Sequence, residues 1–266
     1  MIPITPRLFI AGMLAACLCP AIRADEMPSP EALYQKAPKG LPSEPAWGFW
    51  PDAPKAWIMV HNQFVDRTKK GDIDIVFLGD SITKGWKQIV STNWAGTTPA
   101  LKAVNYGIGG DTTRQLLWRI RHGELDGITP RLVVLMIGTN SLYNDQNSGT
   151  NEQITDGVKA VLGLIHEKTP AARVLLLGVL PRQTKSWTDR IAAINGLLAG
   201  LDEPGRVYYR DAGAAFLSED GRLAAGLYNA DRVHPNAAGS EKLTATVKPW
   251  VKELLDMPSA APATAK

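Results

Sequence analysis

Five residues at four places in the chain have side chains or backbone groups suited to attack on an ester. Ser81 lies in the run Gly79-Asp80-Ser81-Ile82, and a hydroxyl there is a nucleophile only if a base takes its proton. Asp231 and His234 stand three residues apart in Asp231-Arg232-Val233-His234-Pro235, so a helical turn of loop would set both on one side. An imidazole held in one tautomer by a carboxylate is such a base. The third requirement is preorganised donors for the negative charge of a tetrahedral intermediate. The N–H groups of Ser81 and Gly110 and the side-chain amide of Asn140 are the candidates. Glycines 107, 109 and 110 would let the backbone aim an N–H inward without a Cβ clash.

The elements around these residues explain how they could meet. Short apolar runs at 73–78, 103–106, 132–137, 174–180 and 207–209 read as strands. Helical spacing covers 57–70, 112–121, 153–168, 188–201 and 239–255. Strands that are apolar throughout and alternate with helices imply a parallel sheet covered on both faces. The fold expected is therefore α/β, an open three-layer α/β/α sandwich over residues 55–256. In such sheets ligands bind beyond the carboxyl ends of the strands. Ser81 follows the first run, the glycine turn the second, Asn140 the third, and Asp231 and His234 the loop after the fifth. Topology alone brings them to one rim.

At these residues the sequence resembles the GDSL or SGNH hydrolases. The four blocks are Gly79-Asp80-Ser81-Ile82 (Ile where the family name has Leu), Asn105-Tyr106-Gly107-Ile108-Gly109-Gly110-Asp111, Gly138-Thr139-Asn140, and Asp231 through His234-Pro235. From about residue 74 to 180 the pattern is closest to the catalytic subunits of platelet-activating-factor acetylhydrolase. The likeness rests on 107–114, Leu117-Trp118-Arg119 and Gly123-Glu124-Leu125. The resemblance implies a flavodoxin-like five-stranded sheet, no metal or other cofactor, and an ester with a short acyl group. It implies a catalytic triad of Ser81, Asp231 and His234, with Gly110 and Asn140 completing the oxyanion hole. It also allows a homodimer, although no exposed apolar stripe argues for one.

Singly, each block has an ordinary structural use: Gly-Asp-Ser as a strand-end cap, Asn140 as a helix cap, Asp231 and His234 as a surface turn. Four in order at strand ends are a different matter. The glycine turn does not complete a dinucleotide pattern, because Thr112 stands where G-x-G-x-x-G needs glycine. No G-x-S-x-G elbow and no paired-histidine zinc spacing occurs. His61 and His166 fall on expected helices and read as partly solvated, and His122 sits at a helix end where a cation suits the dipole. Trp86 and Asp80, next to Ser81, are expected to touch substrate, Trp86 by offering a stacking face for a sugar. Trp94 could border the same pocket.

Composition narrows the setting. Residues 1–24 have a basic start at Arg7, an apolar stretch over 8–19 and a small-residue cleavage site at Ile22-Arg23-Ala24, the plan of a secretory signal. Leu14-Ala15-Ala16-Cys17 has the form of a lipobox, which would place a lipid anchor on Cys17, but the apolar 18–22 speaks against it. The apolar stretch is too short to span a bilayer, which takes about 20 residues. Cleavage after Ala24 would remove both cysteines, and with them any disulfide or thiolate chemistry. It would also remove Arg7 and Arg23, leaving 27 basic against 26 acidic residues. That balance carries no footprint for nucleic acid. Residues 25–54 read as a Pro- and aromatic-rich arm with Trp47, Phe49 and Trp50, and 257–266 as a frayed tail.

The function expected is an exported serine esterase acting on acetyl or similarly short acyl esters, of a carbohydrate or other small ester. A lysophospholipase, thioesterase or acyltransferase would use the same triad. A non-catalytic glycan-binding module would have no use for one.

Overall fold

The computed structural model describes residues 54–97, 99–142 and 149–258. The expected signal, arm and most of the tail lie outside these residues, as does much of the 142–151 loop.

Five parallel strands form one sheet in the order β2-β1-β3-β4-β5. They are β1 (Ile75–Gly79), β2 (Ala103–Gly107), β3 (Leu132–Met136), β4 (Arg173–Leu177) and β5 (Val207–Arg210). This is the doubly wound, flavodoxin-like order, with its switch point between β1 and β3. All five expected runs are strands of this sheet, and the expected fold class is the observed one. The central strands read as unbroken apolar runs because both faces are buried.

Alternate strand residues serve opposite faces. Val76, Leu78, Val133, Leu135, Val174 and Leu176 pack against α3 (Thr113–Arg119), α4 (Asn151–Lys168) and α5 (Lys185–Ala199). Ile75, Phe77, Val134, Met136, Leu175 and Leu177 pack against α2 (Ser81–Gly85), the Trp94 segment and α6 (Ala237–Asp256). The first helix, α1 (Pro54–Lys69), joins the α3 side, where Phe64 stacks on Tyr106 at 4.7 Å.

Local chemistry fixes where the helices start. Thr112 with Gln115 closes a capping box on α3, and Thr150 with Gln153 does the same on α4. Asn236 accepts from the Gly239 N–H to open α6. One expected helix departs from plan. The run 112–121 is α-helical only to Arg119, then widens into a π turn over Ile120–Glu124 that Gly123 ends at φ 105°. The wide turn sends Glu124 back toward Arg119, a contact taken up below.

Candidate active site

The nucleophile candidate is placed by the end of β1. Gly79 is the last strand residue, Asp80 caps α2 by accepting the Ile82 N–H at 2.9 Å, and Ser81 is the first helical residue. Its N–H therefore has no intrahelical acceptor. Packing at this corner leaves no room for a side chain at Gly107. A Cβ there would lie 2.2 Å from the Lys84 nitrogen and 2.8 Å from the Asp80 carbonyl oxygen. That corrects the expectation for Gly107, which is required by close approach and whose N–H is taken by the Asn105 side-chain oxygen at 2.9 Å. Gly110, at φ 81°, has a left-handed conformation that favours glycine.

Ser81 Oγ lies 2.7 Å from His234 Nε2, and His234 Nδ1 lies 2.7 Å from Asp231 Oδ2. An ionised carboxylate only accepts, so Nδ1 carries the ring proton and donates to Asp231. Nε2 is then the acceptor for the Ser81 hydroxyl. The second carboxylate oxygen, Asp231 Oδ1, accepts the Val233 and His234 N–H groups at 2.9 and 3.0 Å. Burial works to raise the Asp231 pKa, but these backbone donors and the His234 ring outweigh it and pull the carboxyl down to about 2.

The Asp231–His234 spacing is not bridged by a helical turn. Arg232 takes a left-handed conformation at φ 55°, and the carboxylate of Asp231 folds the loop over its own backbone. The loop is pinned at several points. The Gln183 N–H donates to the Arg232 carbonyl at 2.8 Å, and the Tyr228 hydroxyl to the Pro181 carbonyl at 2.6 Å. The Asn236 amide donates to the Gly226 and Tyr228 carbonyls. The loop after β5 is thus moored to the loop after β4.

Asn140 lies in a short 3₁₀ turn, Thr139–Leu142, beyond β3. Its side-chain N–H donates to the Asp111 carbonyl at 2.9 Å, which uses one of the two amide hydrogens. Buried Arg182 holds the same turn by donating to the carbonyl and hydroxyl oxygens of Thr139. Gly110 and Asn140 therefore sit on loops after β2 and β3, on either side of Ser81 after β1.

A cavity of about 440 Å³ opens at Ser81 and His234, lined also by Trp86, Lys87, Gln88 and Asn229. Trp86 does not offer the free face expected of it. It is 2% exposed, meets Phe77 and Trp94 edge-on, and donates its indole N–H to Thr244 at 2.7 Å. Trp94 is fully buried in the same cluster and donates to the Ile89 carbonyl. Asp80 is 1% exposed and is not part of the cavity wall. It serves the capping of α2, and burial raises its carboxyl to about 6.

The remaining histidines also differ from expectation. His61 is buried with its Nδ1 3.2 Å from Glu124, and His166 is buried on α4. His122 stacks on Trp118 at 3.8 Å, and burial lowers its pKa, so it favours the neutral ring over a cation at the helix end. No cluster of His, Cys, Asp or Glu suited to a metal occurs among the described residues.

A feature missed by inspection of the motifs lies beneath the glycine turn. Asp111, Arg119 and Glu124 are wholly buried together with Trp57 and His61. The available signal was Arg119 itself, three residues after Leu116 on the apolar spacing of its helix.

Residues 77–242 match the GDSL-like lipase/acylhydrolase family. The human platelet-activating factor acetylhydrolase IB subunit alpha1 is 36% identical over 171 residues, covering 63% of this chain and 71% of the relative. The human alpha2 subunit is 33% identical over 204 residues, covering 75% and 85%. A GDSL-like lipase from Bacteroides thetaiotaomicron superposes with a TM-score of 0.57 at 22% identity, covering 75% of this chain and 97% of that one. An acetylxylan esterase from Geobacillus stearothermophilus, solved as a catalytic mutant, gives 0.55 at 20% identity, covering 68% and 94%. The chain belongs to the GDSL-like lipase/acylhydrolase family and is a carboxylic ester hydrolase.

Proposed function

We propose that this ester hydrolase is an exported serine esterase that removes acetyl or similarly short acyl groups from a carbohydrate ester. The observation that carries the reading is the pair of 2.7 Å contacts joining Ser81 to His234 and His234 to Asp231. Ser81 attacks the ester carbonyl while His234 takes its proton, and Asp231 holds the ring and steadies the imidazolium. The N–H groups of Ser81 and Gly110 and the amide of Asn140 receive the oxyanion. His234 then returns its proton to the departing alcohol. A water that His234 deprotonates releases the acyl group from Ser81.

The substrate class rests on the cavity and on the resemblance. The name of the 33–36% identical relatives points to an acetyl group. Lys87, Gln88 and Asn229 line the cavity with Ser81 and could bond an alcohol's hydroxyls, alongside the apolar Ile82, Trp86, Pro235 and Leu243. Export rests on the signal-like plan of residues 1–24. No described helix is long and apolar enough to cross a membrane.

The same relatives favour a second reading, an acetylated glycerophospholipid, because platelet-activating factor is in their name. Acetate release from acetylated xylo-oligosaccharides and from an acetyl glycerophospholipid, compared by kcat/KM, separates the two. Preference for the oligosaccharide supports the first reading. Preference for the phospholipid replaces it with the second.

A further inference from the structure

Arg119 is fully buried on the side of the sheet opposite α6, and each nitrogen of its guanidinium is engaged. Nε meets Asp111 Oδ2 at 2.7 Å. Nη1 meets both carboxylate oxygens of Glu124 at 2.7 Å and donates to the Tyr106 carbonyl at 3.0 Å. Nη2 donates to the Gly79 carbonyl at 3.2 Å. Gly79 is two residues before Ser81, and Tyr106 is four before Gly110. Asp111 follows Gly110 directly, and its carbonyl accepts the Asn140 amide at 2.9 Å. The other oxygen of Asp111 is held by the Trp57 indole N–H at 2.7 Å, which brings in α1.

One planar group thus ties the ends of β1 and β2 to the turn on which Asn140 leans. These are the three segments that carry the oxyanion donors of the reading above. Arg119 is fully buried, so it can act on substrate only through those segments. We propose that Arg119, with Asp111 and Glu124, is a positioning unit that holds the Gly110 N–H and the Asn140 amide in register with Ser81. The inference rests on the serine-esterase reading of the site. The π turn supports it, since the widening over Ile120–Glu124 delivers Glu124 to the same guanidinium that Asp111 holds from the other side. A lysine could supply the charge but not the fork, because an ammonium is a point donor without fixed in-plane geometry.

The test uses Arg119→Lys and Asp111→Asn in the full chain, with p-nitrophenyl acetate as substrate. Active serines are counted by the end point of phosphorylation with diethyl p-nitrophenyl phosphate, one nitrophenol per site. Removing an oxyanion donor costs roughly 10²–10³ in kcat, so misplacing two should lower kcat per titrated site by about 10–100-fold. The titre should stay near native and KM should change less than about threefold. Inhibition by a boronic acid, which adds to the serine as a tetrahedral anion, should weaken by about the same factor as kcat. A purely structural role would instead lower the titre and leave turnover per titrated site unchanged. That result in both variants, or failure of both to fold, overturns the proposal. If the native protein takes no phosphoryl group on Ser81, the serine-esterase reading falls first and this inference with it.

Discussion

At the scale of single residues, the division of labour among the titrating groups follows from what surrounds each carboxylate. Asp231 accepts two backbone N–H groups and the His234 ring, and its pKa near 2 keeps it charged at any working pH. Asp231→Asn keeps the shape of the loop but no longer dictates the tautomer, and kcat at neutral pH should drop on the order of 10⁴-fold. Ser81, Asn140, Asp231 and His234 were legible because each is a reactive or polar type placed just past an apolar strand or in the long loop after one. The Trp86 orientation was not legible. Sequence distance from Ser81 does not say whether an indole faces solvent or Phe77.

At the scale of elements, the five apolar runs identified the strands, while their ends depended on contacts that no run of residues displays. The first strand extends to Gly79 because that residue can meet Met136 and Thr83 without a side chain in the way. The π turn after Arg119 was hidden for the same kind of reason. It brings Glu124 to Arg119 in a buried ion pair, between residues that the sequence shows only as two charges among several on that helix. Two glycines make the packing argument testable. Gly107→Ala puts a Cβ against the Lys84 nitrogen, a backbone atom that cannot move aside alone. It should cost about 1–3 kcal/mol or more in urea unfolding and should lower activity with it, because Lys84 belongs to the helix that presents Ser81. Gly163→Ala, on the exposed side of α4 with nothing within 4 Å, should instead stabilise by roughly 0.5–1 kcal/mol. Equal effects at the two positions would refute the packing account.

At the scale of the whole molecule, the fold keeps the reactive chain at the surface and a charged cluster in the interior. His234 and Asp231 are 38% and 48% exposed, whereas Asp80 and Asp111 are wholly buried. Burial raises Asp80 to about 6, so between the ordinary carboxylate range and that value the folded protein holds a proton that the unfolded chain has released. Stability from this group therefore falls as pH rises from about 4 to about 6. Asp80→Asn retains an oxygen to cap Ile82 and removes this ionisation. Its urea midpoint should drop less than that of the native protein between pH 4.5 and 7.5. The same drop in both would refute this assignment. The central claim is that Ser81 is the nucleophile of an ester hydrolase, and the direct measurement is p-nitrophenyl acetate turnover by the native chain and by Ser81→Ala. The account predicts native turnover, faster on acetate than on octanoate, and a loss of at least about 10³-fold in the variant with its fold intact. Equal turnover in the two proteins would contradict it.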